Sequence, residues 1–103
     1  MKQLTIVVKP FRAEAVLQAI AELGVTACVV REAKGYSRQK GYLERYLGSE
    51  FSMAFLPKVE ITVCVPDERL DALVQQVARV ARTGRMGDGK IFVLPLAWEA
   101  IEF

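Results

Sequence analysis

Apolar residues recur along the chain with two different periods, and the switches between them mark out its elements. Between Gln3 and Val8, Leu4, Ile6 and Val8 alternate with Gln3 and Thr5, the period of a half-buried strand. Pro10 breaks that strand. From about Arg12 to Leu23 the apolar positions are Ala13, Val16, Leu17, Ile20 and Leu23, a single stripe at helical spacing. Gly24 fits the position past a helix end, where glycine turns left-handed without a Cβ penalty. Val25 to Lys34 then predicts a second, β-branched strand.

The pattern dissolves between Gly35 and Phe55, where Gly35, Gly41 and Gly48 alternate irregularly with serines, charges and aromatics. A loop of that length inside one domain is uncommon and usually functional, so it is expected to be the working arm of the molecule. Pro57 is expected to end it. Val59, Ile61, Val63 and Val65 alternate with Lys58, Glu60, Thr62 and Cys64, the clearest strand in the sequence. Pro66 stops it, and Asp67 is expected to cap a second helix. Leu70, Leu73, Val74, Val77, Ala78 and Ala81 give that helix an amphipathic stripe. Gly84 ends it, a glycine-rich turn runs to Gly89, and Ile91 to Leu96 predicts a last strand.

The order β-α-β, long loop, β-α-β is the ferredoxin-like pattern of an α+β fold, βαββαβ. Right-handed crossovers place both helices on one face of a four-stranded antiparallel sheet. The other face is expected to be apolar and uncovered, which calls for a lid or a partner subunit, so oligomerisation through the sheet is expected.

The length of 103 residues allows a single domain, 1–103. Apolar residues at 52% and charged residues at 25% exclude a disordered chain. The apolar runs are too short to span a bilayer, and no leader pattern precedes the first strand, so a cytoplasmic location is expected. Histidine is absent, which removes imidazole metal ligands, Ser-His-Asp triads and imidazole proton shuttles. Cys28 and Cys64 form no CxxC pair and are expected to be buried free thiols. Fourteen cations against twelve anions leave +2, too little to argue for nucleic acid or a membrane.

Candidate chemistry lies in three segments. Arg82-Thr83-Gly84-Arg85-Met86-Gly87-Asp88-Gly89-Lys90 combines glycines that let backbone N–H groups converge with three cations, a composition suited to phosphate. Its Gly84-x-x-x-x-Gly89-Lys90 spacing fits the start of a P-loop, but Ile91 replaces the required hydroxyl and a strand follows instead of a helix. Lys34-Gly35-Tyr36-Ser37-Arg38-Gln39-Lys40-Gly41 adds cations, a hydroxyl and an amide at the mouth of the long loop. The loop tip mixes Tyr42, Tyr46 and Phe51 with charge and suits contact with a partner. Glu44, Glu60 and Asp88 form no carboxylate pair, and no nucleophile stands beside a base.

Gly35-Tyr36-Ser37-Arg38-Gln39-Lys40-Gly41 and Ala81-Arg82-Thr83-Gly84-Arg85-Met86-Gly87-Asp88-Gly89-Lys90-Ile91-Phe92-Val93 resemble two signatures of the PII signal-transduction family. They are similar to the base of its T-loop, here about 36–55, and to its B-loop, here about 82–90. The resemblance runs from Lys9-Pro10-Phe11 to Phe92-Val93-Leu94-Pro95. It implies a homotrimer that binds ATP or ADP in clefts between neighbouring copies, without catalysis. Gly35, Ser37, Arg38, Gln39, Cys64, Thr83, Gly84, Gly87, Asp88, Gly89 and Lys90 would then bind nucleotide. Gln39 and Lys58 would bind a small effector such as 2-oxoglutarate, with Mg held through ATP and Gln39. Tyr42, Tyr46, Ser49 and Phe51 would meet a membrane transporter or metabolic enzyme, in nitrogen regulation, with no nucleic acid involved. The protein would be peripheral at a membrane where its target is a transporter.

Four departures mark a divergent paralogue. Ser37 replaces a usual glycine. Phe51 stands where many members carry a uridylylated tyrosine, so control is expected to run through ligand occupancy alone. Ser49 matches a position phosphorylated in some members. The tail 97–103 lacks the arginines that members place near the phosphates. Regulation of a metal-efflux or inorganic-carbon system is the alternative reading. A small ferredoxin-like phosphate-handling enzyme is a further one; its acylphosphatase form fails because the chain has no asparagine to orient water. An RNA-binding domain would need aromatics on the central strands, which Leu4–Val8 and Val59–Val65 lack.

Overall fold

The structure is a computed structural model that describes residues 1–25, 27–35, 56–84 and 89–98, with 101 and 103. Strand β1 is Lys2–Val8, helix α1 Pro10–Glu22, β2 Val29–Gly35, β3 Leu56–Val65, helix α2 Leu70–Ala81 and β4 Gly89–Pro95. The strands form one antiparallel sheet in the order β2-β3-β1-β4. This is the α+β, ferredoxin-like arrangement expected from the pattern.

Alternation decides which face is buried. Leu4, Ile6 and Val8 of β1 and Ile61, Val63 and Val65 of β3 point to the helices and are almost fully enclosed. Val16 and Ile20 of α1 and Leu73, Val77 and Ala81 of α2 complete the core, and the two helices also pack on each other. Arg69 reaches across to donate to the Leu23 carbonyl oxygen, satisfying one of the acceptors left over at the end of α1.

Several boundaries differ from the sequence reading. Pro10 opens α1 instead of standing before it, because its fixed φ and missing N–H cost nothing in a first helical turn. Gly24 adopts φ +80° as expected, but β2 begins only at Val29, and Val25 packs against the core. Pro57 lies inside β3 at a position paired only with β2, since β1 reaches no further than Val59, so its missing donor breaks no ladder bond on the other side. Asp67 caps no helix. It opens a single 3-10 turn, Asp67–Arg69, and its Oδ1 accepts from the Met1 ammonium at 2.9 Å, with Lys2 Nζ at 3.5 Å. The Met1 hydrogen bond, assisted by Lys2, holds the Asp67 carboxyl below its ordinary pKa.

The uncovered face is mixed, not apolar. Directly opposed residues across it are Val29, Thr62, Thr5 and Phe92 in one row and Arg31, Glu60, Val7 and Lys90 in another. Arg31 Nη1 lies 3.6 Å from Glu60 Oε1 within that second row. Both cysteines are exposed, against expectation: Cys64 alternates onto this uncovered face opposite Gln3, and Cys28 precedes β2.

Truncating a fully enclosed side chain tests the core assignment. Leu73→Ala is expected to cost about 2–5 kcal/mol of stability by urea denaturation. A loss within about 0.5 kcal/mol, the ordinary range of surface substitutions, would place Leu73 outside the core.

Candidate functional site

Antiparallel pairing brings distant segments to one end of the sheet. Val8, the last residue of β1, is paired with Val59 near the start of β3 and with Gly89, the first residue of β4. Gly35 at the end of β2 is paired with Leu56 at the start of β3. The end of β2, the start of β3 and the start of β4 therefore meet beside the start of α1, and α2 ends close by.

A cleft of about 260 Å³ opens where α2 gives way to β4. Its walls are Ile6, Val8, Val77, Ala78, Ala81 and Ile91, and Arg82, Gly89 and Lys90 complete the lining. Among the described lining residues Arg82 and Lys90 are cationic and none is a carboxylate; Lys90 pairs with Val7, so strand alternation assigns its side chain to the row of the uncovered face while its neighbour Ile91 lines the recess. The local backbone explains the residue choice. Arg82 leaves the helix in an extended conformation while its N–H still bonds the Ala78 carbonyl at 3.1 Å. Gly84 follows with φ +82°, a region side chains rarely adopt. At Gly89 a Cβ would come within 2.7 Å of the Val7 carbonyl oxygen, so only glycine lets β4 start this close to β1. Gly89 and Lys90 open a strand, so the helix N-terminus of a Walker site is absent here, as the sequence indicated.

A second recess of about 470 Å³ lies at the same end, lined by Pro10, Glu32, Ala33, Lys34, Pro57, Lys58 and Val59. Gly35 and Lys58 touch: a Cβ on Gly35 would meet Lys58 Cγ at 2.9 Å.

Of the expected nucleotide-binding residues, Gly89 and Lys90 line the first cleft, while Thr83 and Gly84 follow Arg82 in the chain. Gly35 and the effector candidate Lys58 belong to the second recess or its edge. Cys64 does not join them. It lies five residues along β3 from Val59, about 17 Å at strand rise, towards the opposite end of the sheet. Ser37, Arg38, Gln39, Tyr42, Tyr46, Ser49, Phe51, Gly87 and Asp88 lie outside the described residues. The sequence reading missed Glu32 of the second recess, which no motif marks. It also missed the apolar wall from α2, although the stripe ending at Val77, Ala78 and Ala81 carried that signal. Among the described residues no group of acidic or cysteine side chains could hold a metal ion, and no helix is long and apolar enough to cross a membrane.

The family model described as "Nitrogen regulatory protein P-II" matches residues 1–99. The chain is 47% identical over 97 residues to Nitrogen regulatory protein P-II 1 of Escherichia coli strain K12, covering 94% of this chain and 87% of that protein. The protein of that name from Salmonella typhimurium gives the same figures. Nitrogen regulatory protein GlnK of Escherichia coli strain K12 is 47% identical over 96 residues, covering 93% of this chain and 86% of the relative. A match over nearly the whole chain establishes that this chain belongs to the nitrogen regulatory protein P-II family, whose members are regulatory signal transducers and not enzymes.

Proposed function

We propose that the chain senses nucleotide, ATP against ADP, in the cleft between α2 and β4, and reports it to a target protein in nitrogen regulation. The observation that carries this reading is a cleft bordered by Arg82 and Lys90, at a strand start that only Gly89 permits. Phosphate oxygens suit that setting. Cations and converging backbone N–H groups stabilise anionic oxygen without any reaction step, and a glycine-rich sequence such as 84–89 favours that convergence. The relatives' names support the physiological setting, and the resemblance of 82–90 to the family's B-loop signature supports the ligand class.

The adjoining recess suits a small carboxylate effector at Lys58, with Gln39 and a nucleotide-bound Mg completing its site. The arm 36–55 leaves the sheet from Gly35 and returns at Leu56, beside both recesses. Ligand occupancy there biases the arm, by no more than the difference in ligand affinity between its states. Tyr42, Tyr46, Ser49 and Phe51 then meet a transporter or enzyme. Cys64 enters the reading through a second copy, because its own chain carries it away from the cleft. A homotrimer with nucleotide between neighbours meets that requirement.

Lys90→Ala tests the cleft. Losing one charge-assisted contact, about 1.5–3 kcal/mol, should weaken ATP and ADP roughly ten- to hundredfold by calorimetry. Unchanged affinity would mean that the cleft faces another ligand. Light scattering should return a trimer, and a stable monomer would remove the contribution of Cys64 and the intersubunit site with it.

A further inference from the structure

Both thiols of the chain stand exposed at one end of the β2–β3 pair, the end away from the two recesses. Neither belongs to the core or lines a recess, so packing gives no reason for a cysteine at these positions. Val29 opens β2 opposite Thr62; Cys28 precedes Val29, and Cys64 lies two residues beyond Thr62 on β3. Because the strands are antiparallel, both cysteines lie past that last pair in the same direction. Directly opposed Cα atoms are about 5 Å apart, and a strand rises about 3.3 Å per residue. The one-residue offset between Cys28 and Cys64 therefore sets their Cα atoms about 6 Å apart, inside the roughly 4.4–6.8 Å that a disulfide spans.

Direction is the second requirement. Alternation along β3 turns the Cys64 side chain to the uncovered face, in the row of Gln3 and Leu94. Strict alternation would turn residue 28 to the helix face. Cys28, however, stands before the ladder begins, so no strand pairing holds its direction, and it is exposed. A backbone rotation at 27–28 brings its sulfur to the side of Cys64 without breaking a bond of the ladder.

We propose that Cys28 and Cys64 are a reversible redox pair, which hydrogen peroxide converts to a disulfide within one chain. One thiolate attacks a peroxide oxygen, the O–O bond breaks, and water leaves a sulfenic acid behind. The other thiolate attacks that sulfur; the S–S bond forms and a second water leaves. The two thiols give up two electrons and two protons, and the peroxide carries them away in the two waters. An exposed bridge is open to attack by a thiol reductant, which restores both groups by exchange. The bridge ties β2 to β3, the two strands that carry the arm 36–55 at their other end. One consequence rests on the reading of Cys64 as part of a neighbouring copy's nucleotide site: bound ATP would then slow the oxidation. The redox pair itself does not need that reading.

The test treats the reduced full chain with hydrogen peroxide, alkylates it and maps it by mass spectrometry without reductant. A peptide joining Cys28 to Cys64 is expected, with both thiols lost to alkylation and both regained in dithiothreitol. C28S and C64S should each form no such bridge and should hold a sulfenic acid that dimedone traps. Circular dichroism checks that each variant is folded. Thiols that persist under peroxide would overturn the proposal. So would oxidation to sulfinic acid without a bridge, or a bridge that joins two chains on non-reducing electrophoresis. Bridging at the same rate under saturating ATP would keep the redox pair and remove Cys64 from the nucleotide reading.

Discussion

The position of Val8 governs the rest of the molecule. One residue at the end of β1 is paired on one side with Val59 and on the other with Gly89, which sets the register of β3 and the start of β4. The second pairing brings the backbones so close that a Cβ on residue 89 would meet the Val7 carbonyl oxygen at 2.7 Å. A one-residue slip would turn the inward set Leu4, Ile6 and Val8 outward, so burial of that face locks the register. The cleft beside α2 and the recess beside α1 both follow from that alignment. Neither needs a residue chosen for catalysis, which suits a family that binds and signals.

The fold was legible because its signals are periodic and local. Strand β3 and helix α2 each carry one apolar stripe of a single period, and both appear close to the expected residues. The misreadings have a common cause: a residue type was assigned its commonest role. Pro10 is expected to break the first strand and Pro57 to end the long loop, yet one opens α1 and the other lies in a strand end paired on one side only. Asp67 was treated as a helix cap, yet the Met1 ammonium and Lys2 engage its carboxylate. Cys64 was expected to be buried as a small hydrophobe, yet alternation along β3 turns it to the uncovered face.

The site was legible in part, for a different reason. Gly84, Gly89 and Lys90 announce themselves because a glycine-rich turn flanked by cations has few other uses. The walls of the cleft do not, because Val77, Ala78 and Ala81 look like ordinary core positions until the sheet is assembled. Cys64 was expected at the site from the family resemblance but stands towards the far end of its own sheet. Sequence spacing carries no information about which copy of a chain supplies a residue. The strand order and register of this chain show only that Cys64 lies away from the cleft.

Hydrogen exchange on the full chain with and without ATP addresses the central claim, that the end of the sheet set by Val8 is where ligand binds. The account predicts slowed exchange at 82–84 and 89–91 on adding ATP, with the exposed side of α2 around Asp71 and Gln75 unchanged. Slowing confined to the helix exteriors, with 82–84 and 89–91 exchanging as before, would contradict it.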